Sequence, residues 1–75
     1  MSDFDEAVDV SVDDEYLTVS LRDGRRITVP TRWFPRLADA TQAERDDWRF
    51  IGTGTGIHWP AIDEDLSVAG LLRVA

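Results

Sequence analysis

The chain has no cysteine and no lysine, and it has one histidine among its 75 residues. Without cysteine it can form neither a disulfide nor a thiolate zinc site, and it has no thiol nucleophile. Without lysine it has no amine nucleophile of the Schiff-base kind. Long apolar runs are also missing, since none approaches the roughly 18 residues that a membrane-spanning helix needs, and the first residues are unlike a basic, apolar export signal. We therefore expect a cytoplasmic protein that makes no membrane contact.

The short length limits the organisation of the molecule. Seventy-five residues allow one domain, which we expect to span 1–75, and a chain of this size buries only about 60% of the surface that its unfolded form exposes. The sequence has no internal repeat and no linker. These limits exclude a second domain and a deep cleft for several substrates.

Negative charge dominates the composition. Fifteen acids against eight bases give a net charge of −7, and the sequence pI is about 4.4. The first fifteen residues hold seven acids and no base, so they carry −7 by themselves. This sign repels phosphate backbones and anionic lipids, which disfavours direct nucleic-acid or membrane binding. The acidity also fits a saline habitat or a need for solubility, and exclusive use of arginine fits a GC-rich genome.

Apolar residues alternate with polar ones in residues 8–12, 17–21 and 27–29, which is the pattern of strands with one buried face. Matching the apolar faces predicts three pairs across a first hairpin: Val8 with Leu21, Val10 with Val19, and Val12 with Leu17. A three-residue loop over 22–24, with Gly24 in the left-handed region, then pairs Val19 with Ile27 and Leu17 with Val29. A two-residue turn would put the apolar side chains on opposite faces. The sequence thus predicts a three-stranded antiparallel meander.

The second half of the chain predicts short elements. We expect a one-turn or irregular lid over 31–37, and a helix from Gln42 to about Asp47 that begins with a capping box of Thr41 and Glu44. Residues 48–51 and 56–59 have the composition of strands, and Ser67 can cap a closing turn of helix. The predicted fold class is α+β, a small antiparallel sheet of about five strands with one or two short helices on one side.

The single histidine lies close to three acids. His58 with Asp63, Glu64 and Asp65 could form a metal or acid/base site, which would suit a metal-dependent hydrolase. The alternative is a structural clasp of His58, Trp59 and Pro60, in which His58 donates to a neighbouring carboxylate and the acids lie at a helix start. We favour the clasp, because one histidine offers no second imidazole and no nucleophile stands next to it. We therefore predict no catalytic residue, no metal and no cofactor.

The acids elsewhere are candidates for partner binding. They could be a solvated charge run, or they could present to a basic protein groove a potential like that of a nucleic-acid backbone. We expect residues 1–6 to be disordered, and we expect arginines 22, 25 and 26 to pair with Asp9, Asp13 or Asp23. Of the three tryptophans, Trp33 is expected to be partly exposed and the others to join the core. The predicted partner-binding residues are Asp9, Asp13, Asp14, Glu15, Trp33, Asp63, Glu64 and Asp65.

Several segments carry a family resemblance that spans about Val8 to Leu72. They are residues 33–37, 40–41, 44–45, 56–68 and 71–72. In these segments the chain resembles a small bacterial domain of unknown function of the DUF 2442 type. The resemblance implies a stand-alone protein with an antiparallel sheet and small helices, gene neighbours like those of toxin–antitoxin pairs, and relatives among inhibitors of CRISPR complexes. It transfers no catalytic residue, and the glycine–threonine spacer over 52–55 is looser than the family's single tight turn.

The composition and the resemblance together predict a non-enzymatic, acidic, monomeric inhibitor. Its partner would be a protein with a basic nucleic-acid-binding surface, such as a CRISPR effector complex. The alternative is an antitoxin that neutralises a small cognate toxin. A hydrolase centred on His58 is a third hypothesis.

Overall fold

The structure, a computed structural model, describes residues 5–75. It contains six strands, three α-helices and two 3-10 helices over this range. In chain order the elements are β1 (Ala7–Val12), β2 (Tyr16–Leu21), β3 (Arg26–Pro30), a 3-10 helix (Thr31–Trp33), α1 (Pro35–Ala38), α2 (Gln42–Asp46), β4 (Arg49–Ile51), β5 (Gly56–Trp59), a 3-10 helix (Pro60–Ile62), β6 (Glu64–Ser67) and α3 (Val68–Val74).

The first sheet is the predicted meander, with strand order β1-β2-β3. Four predicted pairs are confirmed: Val10 with Val19, Val12 with Leu17, Val19 with Ile27, and Leu17 with Val29. Gly24 has φ of 95°, the left-handed conformation that the three-residue loop requires. The buried face of this sheet supplies much of the hydrophobic core.

One predicted pair in the first hairpin is wrong. Leu21 pairs with Ala7 and not with Val8, because the register shifts between Ala7 and Asp9. The irregularity turns Val8 outward, where 46% of its surface is exposed, and buries Ala7 in its place. The Ala7 N–H donates to the Gly54 carbonyl at 2.7 Å, which fixes the start of β1 against the loop between β4 and β5.

The prediction of one five-stranded sheet is also wrong, although the α+β class is confirmed. The remaining strands form a second three-stranded antiparallel sheet with order β4-β5-β6. Its third strand contains Glu64 and Asp65, which we expected at a helix start. Acidic residues disfavour strands, but these two pair with Trp59 and His58 at the sheet edge, where a charged side chain can remain in solvent.

The short helices pack against both sheets, with α2 against β1 and α3 against β6. The capping box of α2 is confirmed, since the Thr41 oxygen accepts from the Glu44 amide and the Glu44 carboxylate accepts from the Thr41 amide. Ser67 caps α3 as predicted, by accepting from the Gly70 amide. The largest fully buried side chain is Trp59, and Trp48 packs partly buried against the core. Over residues 5–75, no helix has the length and apolar character to cross a membrane.

Candidate partner-binding surface

The turn between β1 and β2 is organised by its own first acid. The Asp13 carboxylate accepts from the amides of Glu15 and Tyr16, at 2.8 and 2.7 Å, and the Asp13 amide donates to the Tyr16 carbonyl at 3.0 Å. These backbone donors, first Tyr16 and then Glu15, lower the pKa of Asp13. Asp13 therefore has a structural task in the turn, while Asp14 and Glu15 are exposed. We call Asp13, Asp14 and Glu15 the acidic tip.

Buried polar contacts hold the acidic tip from below. The hydroxyl of Thr31, a fully buried residue, donates to the Asp13 carbonyl, and the Thr31 amide donates to the Glu15 carbonyl, both at 2.9 Å. The side-chain amide of Gln42 donates to the Val12 carbonyl at 2.6 Å. An open pocket of about 160 Å³ lies beside the tip and is lined by Asp14, Glu15, Tyr16 and Arg32. The carboxylates of Asp14 and Glu15 thus project from a backbone that is fixed at several points.

Trp33 follows this anchor directly. It ends the 3-10 helix that Thr31 begins, and 48% of its surface is exposed, as the sequence predicted. A large aromatic side chain is therefore available to solvent within two residues of the threonine that holds the acidic tip.

The acidic corner, formed by Asp63, Glu64 and Asp65, connects to the same segment. The Arg36 guanidinium of α1 donates to the Asp63 carbonyl. Asp63 has φ of 52°, so the chain reverses there in the left-handed region before β6 begins. Four residues lie between Thr31 and Arg36, so their Cα atoms lie no more than about 18 Å apart. One short segment therefore touches the acidic tip at one end and the acidic corner at the other.

Asp9, the remaining predicted partner-binding acid, lies elsewhere. Its strand neighbour is Ser20, whose other neighbour is Arg26, so Asp9 stands at the opposite end of the first sheet from the tip. We call that end, with Arg22, Arg25 and Arg26, the arginine end. The structure thus does not bring Asp9 together with the other predicted residues.

At the arginine end three carboxylates are paired with arginines, and Asp9 is not paired with any described residue. Arg22 contacts Glu6 at 2.8 Å, and Arg25 contacts Asp5 at 2.5 Å and Asp23 at 2.7 Å. Of the predicted partners, Asp23 is confirmed; within residues 5–75, neither Asp9 nor Asp13 forms an ion pair.

Glu6 is the centre of these contacts, because it also accepts from the Thr53 hydroxyl at 2.6 Å. Thr53 first and Arg22 second lower its pKa. Of the segment predicted to be disordered, residues 1–4 lie outside the described residues.

His58 contacts the Asp65 carboxylate through Nδ1, across the β5–β6 pair. This is the carboxylate contact that the clasp requires, and the neighbouring Trp59 is fully buried while Pro60 begins a 3-10 helix. In the part of the chain that the structure describes, no three His, Cys, Asp or Glu side chains are grouped closely enough to hold a metal ion. The hydrolase hypothesis therefore gains no ligand set from these residues.

Sequence reasoning missed Arg45, which is 8% exposed. Its guanidinium donates to the carbonyls of Leu37 and Ala38, both at 2.9 Å, and its own carbonyl accepts from the Trp59 indole at 3.0 Å. A helix as short as α1 leaves its last carbonyls without partners inside the helix, and Arg45 satisfies two of them. That unmet need is the only signal in the sequence that could have indicated a buried arginine.

The chain matches the model of the family described as "Protein of unknown function (DUF2442)" over residues 7–75, and it belongs to that family. Among solved structures it is similar to the crystal structure of a protein of unknown function from Rhodospirillum rubrum. The two share 28% sequence identity with a TM-score of 0.78, and the match covers 92% of this chain and 86% of the other. No curated protein matches the chain.

Proposed function

We propose that this member of the DUF2442 family is a non-enzymatic protein-binding module that occludes a basic, nucleic-acid-binding surface of its partner. The observation that carries the proposal is that Asp14 and Glu15 are exposed and unpaired within the described range. Both are exposed, and neither forms an ion pair with another residue in the range 5–75. Asp9 of β1 is also exposed and unpaired among the described residues, but it lies apart from the tip, so Asp14 and Glu15 are the two adjacent acids of the first hairpin whose charge would be available to another molecule.

The fixed backbone beneath the acidic tip supports this role. Asp13, Thr31 and Gln42 hold the turn through five hydrogen bonds of 2.9 Å or less to the backbone. A preorganised turn loses little conformational entropy when a partner binds. Carboxylates held in this way attract a cationic surface, speed the encounter and select against acidic partners.

Trp33 and the acidic corner extend the proposed surface. Tryptophan is enriched among the residues that dominate interface energetics, because a single side chain can fill a pocket on the partner. Trp33 would anchor the partner between the acidic tip and the acidic corner. The acidic corner, Asp63, Glu64 and Asp65, would contact the part of the partner's surface farthest from the tip. Asp9 has no part in this surface.

The family resemblance supplies two classes of partner with a basic surface. A CRISPR effector complex would make the protein an anti-CRISPR inhibitor, and a small cognate toxin would make it an antitoxin. Both use the same surface chemistry, so the identity of the captured partner decides between them. Rescue of cells from a toxin encoded by a neighbouring gene would support the antitoxin hypothesis.

Affinity capture from the native host, followed by a displacement assay, tests the proposal. The captured partner is loaded with its fluorescent nucleic acid, and the wild-type protein is expected to displace the nucleic acid in a concentration-dependent way. Trp33→Ala should raise the concentration needed by roughly tenfold or more. A partner that retains its nucleic acid while the protein is bound would overturn the proposal.

A further inference from the structure

The first sheet has an open edge at β3. This strand pairs with β2 on one side only. In an antiparallel ladder, the N–H and C=O groups of successive residues point alternately to the two sides of a strand. The Leu21 amide donates to the Arg25 carbonyl at 2.8 Å, which sets this alternation. Ile27 and Val29 therefore bond to β2, and Arg26 and Thr28 point their N–H and C=O groups away from it.

These outward groups have no protein partner within residues 5–75. No described hydrogen bond uses the backbone of Arg26 or Thr28 on that side, and both residues are exposed. The opposite edge of the sheet is different, because β1 carries a register shift, donates to Gly54 and accepts from Gln42. Proteins commonly protect sheet edges by such irregularities and contacts. The outer edge of β3 has no such irregularity or contact among the described residues. Within that range its only protecting features are the charge of Arg26 and the final Pro30.

We propose that β3 pairs with β3 of a second copy of this chain, antiparallel about a two-fold axis at Thr28. The two first sheets then form one six-stranded sheet. Thr28 of each copy exchanges two hydrogen bonds with Thr28 of the other. The Arg26 amide donates to the Pro30 carbonyl of the opposite strand, once for each copy. Pro30 has no N–H, but this pairing asks it only to accept.

Charge complementarity favours this occupant and this direction. The two-fold places Arg26 of one copy beside Pro30 of the other, and Pro30 pairs with Tyr16, next to Glu15. Strand spacing of about 4.8 Å puts the Tyr16 strand about 10 Å from Arg26. An arginine side chain and the glutamate can span that distance. Arg26 forms no ion pair with another described residue, so its charge is available.

A parallel pairing would instead place the two acidic tips at the same end of the joined sheet, where like charges repel. The antiparallel pair separates them and gives each Glu15 an arginine. Self-pairing and partner binding then compete for Glu15. The proposed dimer departs from the monomer that composition and the family resemblance together predict, and it does not depend on the proposed function.

Sedimentation velocity over a concentration series, combined with hydrogen exchange, tests the pairing. We expect a species of twice the 8.5 kDa chain mass at high concentration. The amides of Arg26 and Thr28 should become protected as the dimer fraction rises. A chain that stays monomeric throughout, or a dimer that leaves both amides unprotected, would overturn the proposal.

Two charge-reversal variants give a matched comparison. Arg26→Glu should raise the dimer dissociation constant by roughly tenfold or more, because it replaces each attraction to Glu15 by a repulsion. Arg49→Glu makes the same change on β4, an exposed position of the second sheet, and should leave the constant within about twofold. Equal effects of the two variants would show that net charge, and not the β3 edge, controls association.

Discussion

The two ends of the first sheet are built from the same three strands, yet Asp5, Glu6 and Asp23 at one end pair with arginines, whereas Asp9 at that end and the three acids of the tip do not, within residues 5–75. At the arginine end, Asp5, Glu6 and Asp23 contact arginines within 2.8 Å. At the acidic tip, Asp13 serves the backbone of the turn, and Asp14 and Glu15 form no ion pair with a described residue. The difference shows that a carboxylate's neighbours, and not its presence in an acidic run, decide whether it forms an ion pair within the fold or stays exposed to solvent.

The two ends also differ in how their backbones are held. The acidic tip rests on the buried hydroxyl of Thr31, whereas the arginine end rests on exposed ion pairs and on the contact of Ala7 with Gly54. Exposed ion pairs are screened by salt and contribute little each, while a buried hydrogen bond leaves an orphaned group when it is broken. Substitutions at Gly54 and Thr31 separate these contributions.

The largest expected effect is at Gly54, which fixes the arginine end. Gly54 has φ of 107°, and a Cβ there would lie 2.5 Å from the Ala7 carbonyl oxygen. Both the backbone conformation and this clash with main-chain atoms oppose a side chain. Gly54→Ala should lower the free energy of unfolding by about 3 kcal/mol or more, as measured by urea denaturation.

Gly52 provides the matched control for Gly54. Its φ is 60°, and the nearest atom to an added Cβ is the Thr55 hydroxyl at 3.7 Å. Gly52→Ala should cost about 1 kcal/mol, the ordinary penalty of the left-handed region. Equal losses for the two variants would contradict the packing role of Gly54.

The next effect is at the acidic tip. Thr31→Val keeps the shape of the side chain but removes the donor to the Asp13 carbonyl, which is then left unpaired beneath the turn. We expect a loss of about 2 kcal/mol in the free energy of unfolding. Thr55→Val, at an exposed position of the loop between β4 and β5, should change stability by no more than about 0.5 kcal/mol. If Thr31→Val leaves the free energy of unfolding unchanged, the acidic tip does not depend on this hydrogen bond.

The first hairpin shows how much of the fold the sequence could predict. Strict alternation of apolar residues determined the strand register around Val10, Val12, Leu17 and Val19, because a slip by one residue would expose the whole apolar face. At the start of β1 the same alternation predicted Val8 opposite Leu21 and was wrong, because a register shift between Ala7 and Asp9 puts Ala7 there. Val8, the larger of the two side chains, is therefore exposed to solvent.

The second sheet was harder to predict for a related reason. β6 begins with two acids whose side chains favour other structures, and it is a strand because it pairs with β5, a contact that local sequence does not contain. Exposure of the candidate site residues was predictable for Trp33, Asp14 and Glu15. The separation of Asp9 from the acidic tip already follows from the predicted hairpin, which puts Asp9 in the strand before the turn, whereas the structural task of Asp13 depends on the geometry of the turn itself.

The smallest stability effect concerns pH and distinguishes the two ends through Glu6. The pKa values of Glu6, Asp13 and Asp23 are all lowered in the folded state, for Glu6 chiefly by Thr53 and for the two aspartates chiefly by backbone amides. A carboxyl whose pKa is lowered by folding contributes stability above its unfolded pKa and loses it as pH falls through the folded pKa. Thermal stability should therefore fall as pH is lowered below about 4.5, the ordinary value for glutamate.

Glu6→Gln tests this at the arginine end. It should lower the melting temperature slightly at neutral pH and flatten the decline at acidic pH, because one linked carboxyl is gone. Glu15→Gln removes a tip carboxylate that makes no ion pair with residues 5–75, and it should leave stability within about 0.5 kcal/mol. The reverse order of these two effects would contradict the division of roles between the ends.

The most direct test of the central claim is the dissociation constant for the captured partner as a function of salt, measured for two charge-matched double variants. Asp14→Asn with Glu15→Gln neutralises the acidic tip and leaves the Asp13 turn intact, and Asp39→Asn with Asp47→Asn removes the same charge from exposed positions after α1 and α2. We predict that the tip variant binds roughly tenfold or more weakly at low salt and with a shallower salt dependence, while the control binds like the wild type. If the two variants bind equally well and with equal salt dependence, the acidic tip is not the surface that meets the partner.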